Sequence, residues 1–180
     1  MRFCLISFVV SLSLALITIE GVLGATAAEK KAYLDAHNAV RRKQKANDLK
    51  WSDKLGNAAQ TWANKCQWKH SNGAVGKWGE NLAAGTNLDI NGAIKMWADE
   101  ASQYNPKNPE YSHFTQVVWK KTTHVGCAVR TCNGLFGGVG LSSRKDAEKS
   151  AERAPPVKMY VCEYNPPGNV AGQFGQNVSK

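Results

Sequence analysis

The sequence contains no HExxH, no GxSxG and no Cys-x-x-Cys. The first absence removes the signature of helical zinc hydrolases, and the second removes the nucleophile elbow of serine hydrolases. The third leaves no thiolate pair at structural-zinc spacing. No internal repeat is present, and no basic stop-transfer group follows the one long apolar run, Phe3–Ile19.

That run follows Arg2 and precedes the small-residue stretch VLGATAA, which is the layout of a secretory leader. Val22 and Gly24 fit the two recognition positions, so residues 1–24 read as a signal peptide and Ala25 as the mature N-terminus. A retained anchor is the rival reading, and 17 apolar residues lie at the short edge for a bilayer span. Removing 24 of 180 residues leaves 156, enough for one domain over 25–180 with one sizeable core. Cys4 departs with the leader. Cys66, Cys127, Cys132 and Cys162 remain, an even set that reads as two disulfides in an exported chain, with three pairings open.

The formal charge is +9. It suits acidic surfaces such as anionic lipid or polysaccharide, and equally the simple solubility of a secreted monomer. Scattered basic residues and the compartment argue against nucleic acid.

Apolar spacing predicts a helix from Ala28 to about Lys45, with Tyr33, Ala36 and Val40 on one side. A second follows Ser52 as N-cap, its stripe running Leu55, Ala59, Trp62, Cys66. Residues 67–79, with Gly73, Gly76 and Gly79, read as a loop. A third helix after Asn91 carries Ile94, Trp97, Ala101 and Tyr104 and ends before Pro106. HFTQVVW suits helix or strand. Val125–Thr131 and Lys158–Tyr164 read as strands, joined by an exposed and partly disordered insertion over 134–158. Helices followed by a hairpin point to an α+β domain.

Four residues stand out: His70 and Glu80 flanking the glycine loop, Glu100 on the third helix, and His113. Glu100 borders the apolar stripe, and a partly desolvated carboxylate there needs a partner such as histidine. Ser112 before His113 would cap a helix whose positive end favours a neutral, metal-binding imidazole. Taken singly, structural pairing explains such residues as well.

Four longer motifs change that balance. HFTQVVWKKTTHVGCA, YVCEYNPPGNVAG, GENLAAG and DAHNAVR together resemble the CAP superfamily of cysteine-rich secretory, antigen five and pathogenesis-related one proteins, in particular its fungal and plant branches. The resemblance spans about residues 30–178. It implies an α-β-α sandwich with a small antiparallel sheet and a helical HFTQVVW. It pairs Cys66 with Cys132 and Cys127 with Cys162, and gathers His70, Glu80, Glu100 and His113 around one cleft. It also marks the 134–158 insertion as longer than in compact relatives.

Outside the cleft, His37 shares a side with Tyr33 and reads as a core histidine, while His124 reads as exposed. Trp62, Trp97 and Trp119 read as core. Trp68 and Trp78 border the glycine loop, where an aromatic can grip an apolar ligand. NPPGN is a rigid turn, and Asn177-Val178-Ser179 is a glycosylation sequon. The resemblance implies binding of sterols or fatty acids, and the His/Glu set implies a divalent cation in the cleft, zinc rather than calcium because imidazoles take part. No cofactor is needed for folding. A defence or effector role through sterol withdrawal is a further reading. The alternative is a metal-dependent or serine-type hydrolase using the same cleft, with Ser71 and Ser112 beside the histidines.

Overall fold

A computed structural model describes residues 24–136 and 154–179. The signal-peptide reading, apart from Gly24, and the disorder read within the insertion at 137–153 lie outside the described residues.

Helix α1 spans Ala27–Lys43. Thr26 caps it: its hydroxyl accepts from the Glu29 N–H, and the Glu29 carboxylate returns to the Thr26 N–H. Arg41, Arg42 and Lys43 occupy the last turn, where the helix dipole favours cations. The two-residue strand β1, Lys50–Trp51, precedes α2, Asp53–Ala63, capped by Ser52 as predicted. The helix ends before Cys66, which takes a left-handed backbone (φ 47°) and leaves the helical stripe expected to carry it.

GENLAAG is strand β2, Gly79–Gly85, so the predicted loop ends at Trp78. Helix α3, Ile90–Asp99, starts one residue before Asn91 because Asp89 caps it. Glu100 lies beyond it, opening a 3-10 turn, Glu100–Gln103, instead of riding on the helix proper. HFTQV forms α4, His113–Val117, with Ser112 as N-cap. Strands β3, His124–Cys132, and β4, Val157–Asn165, run one or two residues beyond the predicted hairpin, and β4 takes in the end of the expected insertion. A last turn of helix, α5, spans Phe174–Asn177.

The sheet order is β1-β3-β4-β2. It is antiparallel except where β1 lies parallel to β3. Alternation along its strands builds the sandwich. Val125, Cys127, Tyr160, Cys162 and Tyr164 face α1, α3 and α4, in a core with Trp97, Phe114 and Trp119. Ala128, Cys132, Met159 and Val161 face α2, in a second core with Ala59 and Trp62. Helix α2 lies so close to the sheet that a Cβ on Gly126 would strike the backbone of Leu55 and Gly56. Disulfides join Cys66 to Cys132 and Cys127 to Cys162, the pairing the resemblance implied.

Candidate functional site

His70, Glu80, Glu100 and His113 line one open cleft of about 600 Å³. Each arrives from a different element: His70 from the loop after α2, Glu80 from β2, Glu100 from the turn after α3, and His113 from the first position of α4. They form two pairs. His70 Nδ1 lies 2.6 Å from Glu80 Oε1, and His113 Nδ1 lies 2.6 Å from Glu100 Oε1.

The carboxylates are held from behind. Glu80 accepts from the Ser71 N–H, and Glu100 Oε2 accepts from the Phe114 N–H at the start of α4. The His113 ring also stacks on Trp97, centroids 6.1 Å apart. With each Nδ1–H given to a glutamate, a neutral ring keeps its lone pair on Nε2. The Glu80 bond raises the proton affinity of His70.

The expected four-ligand set therefore resolves into two imidazole donors and two engaged carboxylates. Among the described residues, no three metal-binding atoms of the four lie within 4.8 Å of one another. The one cluster that meets that spacing is His37, Cys127 and Cys162. It cannot hold a metal, because its sulfurs form a disulfide and its imidazole is bonded at both nitrogens. Imidazoles oriented by carboxylates are nonetheless the usual support of a divalent ion. The donor chemistry of the cleft fits such an ion, and His70 and His113 would be the residues to hold it.

Three further residues underpin the cleft without having been singled out from the sequence. Asn81 donates to the His113 carbonyl and to the Tyr164 hydroxyl. That hydroxyl lies 2.8 Å from His37 Nε2, while His37 Nδ1–H donates to the Tyr33 carbonyl. Burial of this ring lowers its pKa to about 4, so it is neutral. Glu163 sits beneath Glu80, its neighbour in the β2–β4 register. Burial, then the adjacent Glu80 charge, pushes its carboxyl up to about 9. Burial also raises Glu80, but bonds from His70, Ser71 and Glu163 outweigh it and hold that carboxyl below its usual range. Glu163 therefore keeps its proton beside an ionised Glu80. Alternation places Glu163 on the face opposite Cys162 and Tyr164, the face of Met159 and Val161, but an inward acid signals nothing until its partner is known.

The remaining expectations divide. His37, Trp62, Trp97 and Trp119 are buried. Trp68 is 45% exposed and meets Phe136 edge to face, centroids 5.6 Å apart. Trp78 is not an open grip: its indole N–H donates to the Val75 carbonyl and the Lys54 ammonium lies over its ring. Neither tryptophan lines the His/Glu cleft. Asn177 is fully buried, donating to the Gln173 carbonyl and accepting from the Lys121 N–H. The folded chain therefore leaves no room for a glycan on its amide, which corrects the sequon reading.

A three-layer, disulfide-stapled sandwich with two His–Glu pairs facing one cleft defines the class of protein. The chain belongs to the CAP, cysteine-rich secretory protein, family, whose sequence pattern matches residues 34–164. It is 36% identical over 159 residues to the secreted protein PRY1 of Candida albicans, covering 86% of this chain and 33% of that protein. It is 36% identical over 152 residues to the basic form of pathogenesis-related protein 1 of Nicotiana tabacum, covering 78% and 72%. The chain thus spans about a third of the length of the first relative. NaASP2, solved with Zn²⁺, has the same fold at a TM-score of 0.58 and 19% identity, over 82% of this chain and 84% of that one. Among the described residues, no helix is long and apolar enough to cross a membrane.

Proposed function

We propose that this protein is a secreted binder of hydrophobic small molecules, sterols or fatty acids, whose cleft takes a divalent cation on His70 and His113. Two relatives support export and setting: PRY1 is named a secreted protein, and the tobacco relative is named pathogenesis-related. The leader-like N-terminus agrees with them, and the +9 charge suits contact with anionic lipid or polysaccharide.

The observation that carries the cation is the pair of imidazoles in one open cleft, each with Nδ1 fixed by a glutamate. Imidazole donors favour zinc over calcium, and NaASP2 has been crystallised with Zn²⁺. A bound ion would supply a Lewis-acidic centre and tie the loop carrying His70 to α4. The hydrophobic ligand is supported by family membership and by the exposed Trp68–Phe136 pair beside the glycine loop.

Purified protein should take up radiolabelled cholesterol-type sterol or palmitate saturably, and Trp68→Ala should weaken that uptake. Uptake that stays linear with ligand for both overturns the lipid reading. Hydrolysis in the same cleft is the alternative. It gains no serine from the geometry, because Ser112 caps α4 and Ser71 bonds to Glu80, leaving neither hydroxyl on an imidazole.

A further inference from the structure

Two hollows meet at Glu110 and Tyr111. These residues line both the 600 Å³ cleft and a neighbouring hollow of about 530 Å³, so the two adjoin at this pair and are taken together as one trough. The far end offers the apolar side chains of Pro109, Ala171 and Phe174. Among the described residues, no lysine or arginine lines either half, although the chain carries 23 of them. An anionic headgroup therefore meets no fixed cation along the trough.

The carboxylates tell the complementary half. Glu80 and Glu100 are engaged by His70 and His113. Glu110 is exposed, and among the described residues it has no ion-pair partner. Next to it the Tyr111 side chain is 65% exposed, its ring 5.7 Å from that of Phe174. A free carboxylate beside an open aromatic ring, at the mouth of an apolar hollow, holds an organic cation in three ways. The charge is paired, the ring quadrupole attracts the cation, and the attached alkyl chain leaves water.

We propose that this trough binds amphiphilic amines, with the ammonium group between Glu110 and the Tyr111 ring and the alkyl chain in the hollow beside Phe174. The site is separate from the Trp68–Phe136 surface and does not require a cation on the two histidines.

Calorimetric titration of the full chain with dodecyltrimethylammonium, dodecanol and dodecanoate, each below its micellar concentration, tests this. The quaternary amine is expected to bind about tenfold more tightly than the other two. Glu110→Gln should lower amine affinity about two- to fivefold and leave dodecanol unchanged. Tyr111→Ala should weaken the amine, with Tyr111→Phe retaining it. Both side chains are exposed, so the variants should fold. Equal affinity for the three probes, no amine binding, or an amine affinity unmoved by Glu110→Gln overturns the proposal. Sterol or palmitate uptake, read at Trp68, is decided separately by its own measurement.

Discussion

Glu80, which lines the cleft, and the buried Glu163 stand side by side as partners in the β2–β4 register, the first carboxyl held below its usual range and the second well above it. Glu163 Oε1 is buried without a hydrogen-bond partner, so the acid is held neutral by its surroundings. Its folded pKa of about 9 lies above the ordinary carboxyl value of 4.5. In that window the unfolded chain binds fewer protons than the folded one. The stability linked to Glu163 is therefore complete below about pH 4.5 and is lost as pH rises through about 9. Glu163→Gln keeps a donor toward Glu80 without the titration. It should flatten this alkaline slope and stabilise the protein near pH 8 by on the order of 2 kcal/mol. Thermal melts from pH 5 to 9 decide it; parallel curves for the two proteins would refute the assignment.

His70→Ala with His113→Ala should abolish zinc binding in calorimetry, since no other pair of free imidazole nitrogens lines the cleft. Glu80→Gln or Glu100→Gln should only weaken it, by about 10–100-fold, because each orients a ligand without being one. Binding should also weaken as pH falls, since protons compete for the imidazoles and the Glu80 bond raises His70. Unchanged heats in the double variant would remove the cation site.

His37 is sealed between the Tyr33 carbonyl and the Tyr164 hydroxyl, with a pKa lowered by burial to about 4. A depressed histidine means the unfolded chain binds more protons, so its contribution falls as pH drops from about 6.5 toward about 4. His37→Ala should cost about 2–4 kcal/mol through the cavity and the orphaned tyrosine hydroxyl. A resonance assigned to the His37 imidazole that titrates near pH 6.5 in the folded protein would contradict this.

Arg41 is fully buried and spends its guanidinium on four backbone carbonyls, those of Asn47, Val117, Trp119 and Thr122. It ties α1 to the end of α4, the element that carries His113. A single ammonium cannot reproduce that fork, so Arg41→Lys should cost about 2–4 kcal/mol. Denaturant unfolding measures the loss, and a change under about 0.5 kcal/mol would show that the fork is dispensable.

The helix that Ser52 begins was legible because a cap is written in adjacent residues, whereas the pattern of HFTQVVW left helix and strand open and the family resemblance supplied the helix. Strands β3 and β4 were legible too, because strand composition is local. Strand β2 was not legible: GENLAAG is small and weakly β-branched, and it becomes a strand only because β4 offers a complete ladder beside it. Glu100 was misplaced onto α3 because residues 100–103 continue the helical spacing while the backbone tightens into a 3-10 turn.

The sequence by itself determined the residue types of the cleft, the even cysteine count and, through its long motifs, the family and the disulfide pairing. Only the tertiary structure decided how those groups divide their bonds. It committed both Nδ1 atoms to glutamates, buried Asn177, engaged Trp78 with Val75 and Lys54 and set Glu163 beside Glu80. The physical reason is that a side chain's partners are fixed by packing between elements far apart in the chain, and both protonation and accessibility follow from those partners.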